Sequence, residues 1–81
     1  MSDQLNNVKE MLGEIKEDNS VPRNIRSKVD TVISEIGNNN CEFDIKISRL
    51  LNDLEEISED PNLPSYIRSE ILMAIGLLSE L

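Results

Sequence analysis

Histidine and tryptophan are absent from this chain of 81 residues, and cysteine, phenylalanine and tyrosine occur once each. Without histidine, the usual general base near neutral pH and the commonest metal ligand are both missing. A nucleophilic triad built on histidine is excluded, as is the Glu-x-x-His pairing of bundle di-metal sites. The single cysteine, Cys41, has no partner for an intramolecular disulfide, and its neighbours Glu42 and Asp44 disfavour the thiolate. The three glycines, Gly13, Gly37 and Gly76, stand singly, so no glycine-rich phosphate cradle is present. No cofactor and no small-molecule ligand are implied, and an enzyme is not expected.

Basic residues are also scarce. Eight Lys and Arg face sixteen Asp and Glu, a formal charge of −8 that repels polyanions and makes nucleic acid and anionic membrane unfavourable partners. The longest mostly apolar run, Ile71 to Leu78, falls well short of the roughly 20 residues that span a bilayer as a helix. The opening Met1-Ser2-Asp3-Gln4 has neither a basic start nor an apolar stretch. These features and the lone cysteine set the expectation of a cytoplasmic protein in a reducing compartment.

What is present is aliphatic. Apolar residues make up 38% of the chain and aromatic residues 2%, so the core of the one domain expected over residues 1–81 must be packed from Leu, Ile and Val. Leu5, Val8, Leu12 and Ile15 fall at helical spacing and predict a helix over about Asp3 to Asp18. Asn19-Ser20-Val21-Pro22 supplies capping side chains and a proline suited to a first turn. The second helix carries Ile25, Val29, Val32, Ile33 and Ile36 and ends at Gly37-Asn38-Asn39-Asn40, where a left-handed terminating residue is expected. Phe43, Ile47, Leu50, Leu54 and Ile57 predict a third helix that stops near Asp60-Pro61, with Leu51 broadening its face. Ile67, Ile71, Ala74, Ile75 and Leu78 predict a fourth, from about Leu63-Pro64 nearly to Leu81.

The chain repeats itself. Glu14-Ile15-Lys16-Glu17-Asp18, Pro22 and Ile25-Arg26-Ser27 return at an offset of 42 (Glu14 to Glu56) as Glu56-Ile57-Ser58-Glu59-Asp60, Pro64 and Ile67-Arg68-Ser69. The reading is an all-α, four-helix bundle made of two duplicated helix-turn-helix hairpins: repeat 1 about 3–37, a central loop about 37–41, and repeat 2 about 42–81. One hairpin cannot bury its stripe alone. The two can face each other as a closed bundle, the arrangement expected here, or stack as a repeat pair whose open side another chain covers.

Asp60-Pro61, Pro64 and Ile67-Arg68 before an apolar helix resemble the turn and second helix of a HEAT-type helical repeat, with Asp18, Pro22 and Ile25-Arg26 a partial second copy. Over nearly the whole chain, Glu17-Asp18-Asn19-Ser20-Val21-Pro22-Arg23-Asn24-Ile25-Arg26 with Asp60-Pro61-Asn62-Leu63-Pro64 resembles an uncharacterised family of short archaeal proteins. That resemblance implies an archaeal cytoplasmic origin and a helical bundle, and brings no functional residues with it.

Candidate sites are few. Asp53, Glu56 and Asp60 share a helical face that could offer oxygens to a hard cation, but a solvated acidic face is the expected reading. Asp18 with Arg26, and Asp60 with Arg68, recur at equal spacing and are expected to lock the two turns, each carboxylate bonding backbone donors at the next helix start and each guanidinium reaching back to it. Arg23, Arg26 and Lys28 form the densest basic patch, a thin phosphate footprint whose alternative use is as an accessory factor of a ribonucleoprotein or other large assembly. The two repeats disagree most on one stripe: Asn24, Thr31 and Glu35 of the second helix become Tyr66, Met73 and Leu77 of the fourth, and Asp30 becomes Leu72. Either the bundle covers this stripe from within, or a protein partner or second subunit covers it. On the latter reading Tyr66, Met73, Leu77 and Leu72 are the anchors of an interaction module.

Overall fold

The structure, a computed structural model, describes residues 3–81. Four helices follow one another: α1 (Asp3–Lys16), α2 (Arg23–Ile36), α3 (Phe43–Ser58) and α4 (Ser65–Ser79). Short connections leave consecutive helices antiparallel. α1 packs on α2 and α4, and α3 packs on α2 and α4, so the four close into a square around one core. The closed bundle is therefore the arrangement adopted.

The core follows the repeat. Val8, Leu12 and Ile15 of α1 are buried, as are their equivalents Leu50, Leu54 and Ile57 of α3. Ile25, Val29 and Val32 of α2 are matched by Ile67, Ile71 and Ala74 of α4. The turns contribute Val21 and Leu63, also at equivalent positions and also buried. Burying each of the Val, Leu and Ile side chains contributes about 1.5–3 kcal/mol, and Ala74 less. Duplication has placed the same contribution on both sides of the pseudo-twofold axis.

Three expectations need correction. Phe43 does not join the core. It sits at the first residue of α3 and is 39% exposed, because the bundle tapers there and α2 has already ended at Ile36. Gly37 takes right-handed helical angles (φ −83°, ψ −2°), and no described residue has a positive φ, so α2 ends by a tightened last turn rather than a left-handed cap. Pro22 and Pro64 stand one residue outside their helices with extended ψ, and no side chain caps either start. The carbonyls of Pro22 and Pro64 instead accept the amides of Ile25 and Arg26, and of Ile67 and Arg68. Lys46, which the sequence does not single out, is only 8% exposed: its Nζ donates to the carbonyl of Ile36 at 3.1 Å and places a cation at the negative end of α2.

Candidate functional site

The two inter-helix turns lie at one end of the bundle and share a local device. Asp18 Oδ1 accepts the amide of Ser20 at 2.9 Å, and Asp60 Oδ1 accepts the amide of Asn62 at 2.9 Å. Each carboxylate thus orders its own turn, two residues on, and does not reach the next helix start as expected. The arginines depart further from the expected lock. Arg68 donates from Nε to the carbonyl of Ser58 at 2.9 Å and from Nη2 to the carbonyl of Asp60 at 2.9 Å, so it closes the last turn of α3 through backbone oxygens rather than through the Asp60 carboxylate. Its equivalent, Arg26, makes neither bond, and its buried Nε has no partner.

The first turn has gained a tie that the second lacks. Tyr66, in the first turn of α4, donates its hydroxyl to Asp18 Oδ2 at 2.8 Å and also meets the Ser20 hydroxyl. Ser20 Oγ itself donates to Asp18 Oδ1 at 2.7 Å. The Asp18 carboxyl is held below its ordinary value, first by the Ser20 hydroxyl, then by the Ser20 amide and the Tyr66 hydroxyl. Asn24, the equivalent of Tyr66, is too short to span the same gap. The sequence marked Tyr66 as an interface anchor without revealing this bond, because a contact between residues 48 apart leaves no local signature.

The tie also fixes which flank of α4 faces α1. Tyr66, Glu70, Met73 and Leu77 lie on that flank at helical spacing. Their equivalents Lys28 and Thr31 line a cleft of about 190 Å³ against Asp53, Glu56 and Ile57 of α3, so the two flanks are related by the same pseudo-twofold axis. Tyr66 is 52% exposed and Met73 61%, while Leu77 is half-buried and packs against the core. Leu72 is 54% exposed and lies on the other flank of α4, on the side that turns to α3. The bundle therefore covers Leu77 in part and leaves Tyr66, Met73 and Leu72 exposed. Leu72 and Met73 straddle an outer face whose middle holds Ser65, Ser69 and Gly76, all exposed.

A further residue belongs with this stripe. Met11 of α1, half-buried and packed against the core, is the equivalent of Asp53, so both helices of the α1–α4 seam have apolar residues where the α2–α3 seam has polar ones. The same offset that singled out Tyr66, Met73 and Leu77 would have found Met11 had it been applied to the first helix of each repeat. On the remaining pair of seams, Lys16 and Asp30 form an ion pair at 2.8 Å between α1 and α2, which raises the Lys16 pKa, first by the hydrogen bond and then by the charge. The equivalent pair across α3 and α4 is Ser58 and Leu72.

The other candidates disperse. Asp53 and Glu56 line the α2–α3 cleft opposite Lys28, whereas Asp60 is turned into its own turn. No grouping of three carboxylate or thiol side chains able to hold a metal ion occurs among the described residues. Cys41 is half-buried in the loop between α2 and α3. Lys16, Arg23, Arg26, Ser27 and Asp30 border an open cleft of about 320 Å³ between α1 and α2. No described helix is long and apolar enough to cross a membrane.

The model of the uncharacterised protein family UPF0147 matches residues 1–81 of the chain. The chain belongs to this family. A UPF0147 protein of Methanothermobacter thermautotrophicus is 40% identical over 76 residues, spanning 94% of this chain and 72% of the relative. One of Pyrococcus furiosus is 33% identical over 82 residues, spanning 100% and 88%. Another, of Thermoplasma volcanium, is 30% identical over 76 residues, spanning 94% and 85%. These relatives are archaeal. Among solved structures, the crystal structure of an unknown-function protein, MMP1188, superposes with a TM-score of 0.90 at 37% identity, covering 98% of this chain and 90% of that one. The fold of this UPF0147 chain is thus that of an experimentally determined protein, and none of these relatives brings an activity with it.

Proposed function

We propose that this chain is a non-enzymatic protein-interaction module that uses the outer face of α4. The observation that carries the reading is the exposure of Leu72 and Met73 on a helix whose equivalent presents Asp30 and Thr31 to water. A core duplicated almost position for position, with apolar residues exposed on α4 where α2 has polar ones, points to a demand placed on that surface rather than on the fold. Chemistry has little to work with: no histidine is present, and the α1–α2 and α2–α3 clefts are open grooves between neighbouring helices.

The test is affinity capture with the tagged chain beside a variant carrying Tyr66→Asn, Met73→Thr and Leu77→Glu, the residues of the equivalent positions. A protein captured by wild type and lost by a variant with unchanged helical circular dichroism supports the reading. The same captured set for both, or none, overturns it. A second reading, an accessory factor of a ribonucleoprotein, draws support from Lys16, Arg23 and Arg26 bordering one cleft. It requires association that weakens steeply as salt rises, with α2 rather than α4 as the face that is lost on mutation.

A further inference from the structure

The cations of this bundle gather on one side, while its carboxylates lie on both. α2 carries Arg23, Arg26 and Lys28. Lys16 and Lys9, seven residues apart on one flank of α1, face α2, as the Lys16–Asp30 ion pair shows. Lys46 and Arg49 lie on the flank of α3 turned to α2, fixed there by the bond from Lys46 to Ile36. The remaining basic residue, Arg68 of α4, is engaged by the carbonyls of Ser58 and Asp60. Every other cation thus lies around α2.

The surroundings of α4 are the reverse. On the α1 side, Glu14, Asp18 and its own Glu70 edge the apolar face; on the α3 side, Asp44 and Glu55 do so. Among the described residues Arg68 is the one Lys or Arg on these edges, four residues before Leu72 on the α3 side and held there by the carbonyls of Ser58 and Asp60. The face is a ridge of Leu72, Met73 and the Tyr66 ring between two rows of carboxylates, with Ser69 and Gly76 letting another backbone approach closely.

Given the α4 face as the docking surface, on which this step rests, we propose that its occupant is a cationic amphipathic helix of another protein, apolar along one side with Lys or Arg on both flanks. Such a helix buries its ridge on Leu72 and Met73 and sets its cations against both acidic rows. A second copy of this chain is the poorer occupant. A twofold contact through α4 brings the Glu14 and Glu55 rows of two chains, each of charge −8, against one another.

The experiment titrates the isotope-labelled chain with three synthetic peptides of about 15 residues, the length of α4 at roughly 1.5 Å per residue. The first has a leucine ridge flanked by lysines, the second the same ridge flanked by glutamates, and the third the composition of the first with the ridge shuffled away. The first is expected to shift the amides around Leu72, Met73 and Leu77. It should bind about tenfold or more tighter than the second, and weaken severalfold as salt rises from about 50 to about 300 mM. The double variant Glu14→Gln, Glu55→Gln should weaken the first peptide alone.

Equal binding of the first two peptides at α4 keeps the docking surface and overturns the cationic partner. Equal binding of the shuffled peptide also overturns it, since any polycation would then suffice. No response of α4 to either ridge peptide overturns the partner and the docking surface together. A dimer in sedimentation that is dissociated by Leu72→Asp makes the second copy the occupant and overturns the charge argument.

Discussion

The seam between α1 and α4 and the seam between α2 and α3 are built from equivalent positions of one repeat, yet they have diverged in opposite directions. In the first, Met11 and Leu77 extend the core outward, Met73 stands exposed beside them, and Tyr66 is bonded across to Asp18. In the second, Asp53, Thr31 and Glu35 stand at those positions and a cleft of about 190 Å³ remains open to water. The buried layer beneath is nearly the same in both, differing where Leu78 and Ile47 are buried and their equivalents Ile36 and Leu5 are half-buried. The difference therefore lies outside the fold's requirements, where a change of residue costs little stability and is free to respond to what touches the surface. The cations follow the same division, gathering around α2 apart from Arg68, whereas carboxylates stand beside both seams, Asp53 and Glu56 at one and Glu14 and Asp18 at the other.

The comparison is sharpest where the halves should not differ. Leu12→Ala and Leu54→Ala, equivalent and fully buried, should each cost about 2–5 kcal/mol in denaturant unfolding and agree with one another more closely than either agrees with an exposed substitution. A large disagreement would mean that one hairpin carries the bundle. The arginines break the symmetry next. Arg68→Ala removes two charged hydrogen bonds to carbonyls and should cost about 1–2 kcal/mol, whereas Arg26→Ala, whose Nε has no partner, should change stability by less than about 0.5 kcal/mol.

A smaller effect is expected at the seam itself. Met73→Thr with Leu77→Glu should lower stability by about 1 kcal/mol, mostly through half-buried Leu77, and leave the helical content unchanged. The smallest effect concerns the tie at the turn. Tyr66→Phe should raise the Asp18 pKa toward the ordinary carboxylate value, and Ser20→Ala should raise it further, since the Ser20 hydroxyl is its leading cause; carboxyl NMR titration reads both. The Asp18 pKa is lowered in the fold, so its favourable contribution is present above the ordinary carboxylate range and is lost as pH falls through the lowered value. Both variants should therefore lower stability slightly at neutral pH, where this contribution is present, and flatten the acid limb of the pH–stability profile, where wild type loses it as well.

Much of the fold was legible because helices write their buried face into spacing. Val8, Leu12 and Ile15 recur at Leu50, Leu54 and Ile57, and the offset alone paired the two hairpins and placed their turns. Helix ends were less legible. Asn19 and Ser20 read as caps, but the chain puts proline at the cap and satisfies the start through the proline carbonyl, a choice that depends on turn geometry rather than composition. Lys46 reads as surface and is buried because its ammonium finds the free carbonyl of Ile36, a contact made only once α2 and α3 are packed. For the candidate surface, the offset found Tyr66, Met73, Leu77 and Leu72. It could not say that Tyr66 is tied to Asp18, that Leu72 lies on the opposite flank, or that the cations gather on the far side. Those facts depend on which helix neighbours which.

The most direct test of the α4 surface is a pair of photo-crosslinking substitutions at equivalent positions, one at Leu72 and one at Asp30, in the tagged chain expressed in its own cells. Crosslinks to one partner from position 72 and none from position 30 are the predicted result. Equal crosslinking from both positions, or crosslinking from position 30 alone, would contradict the assignment of the interaction surface to α4.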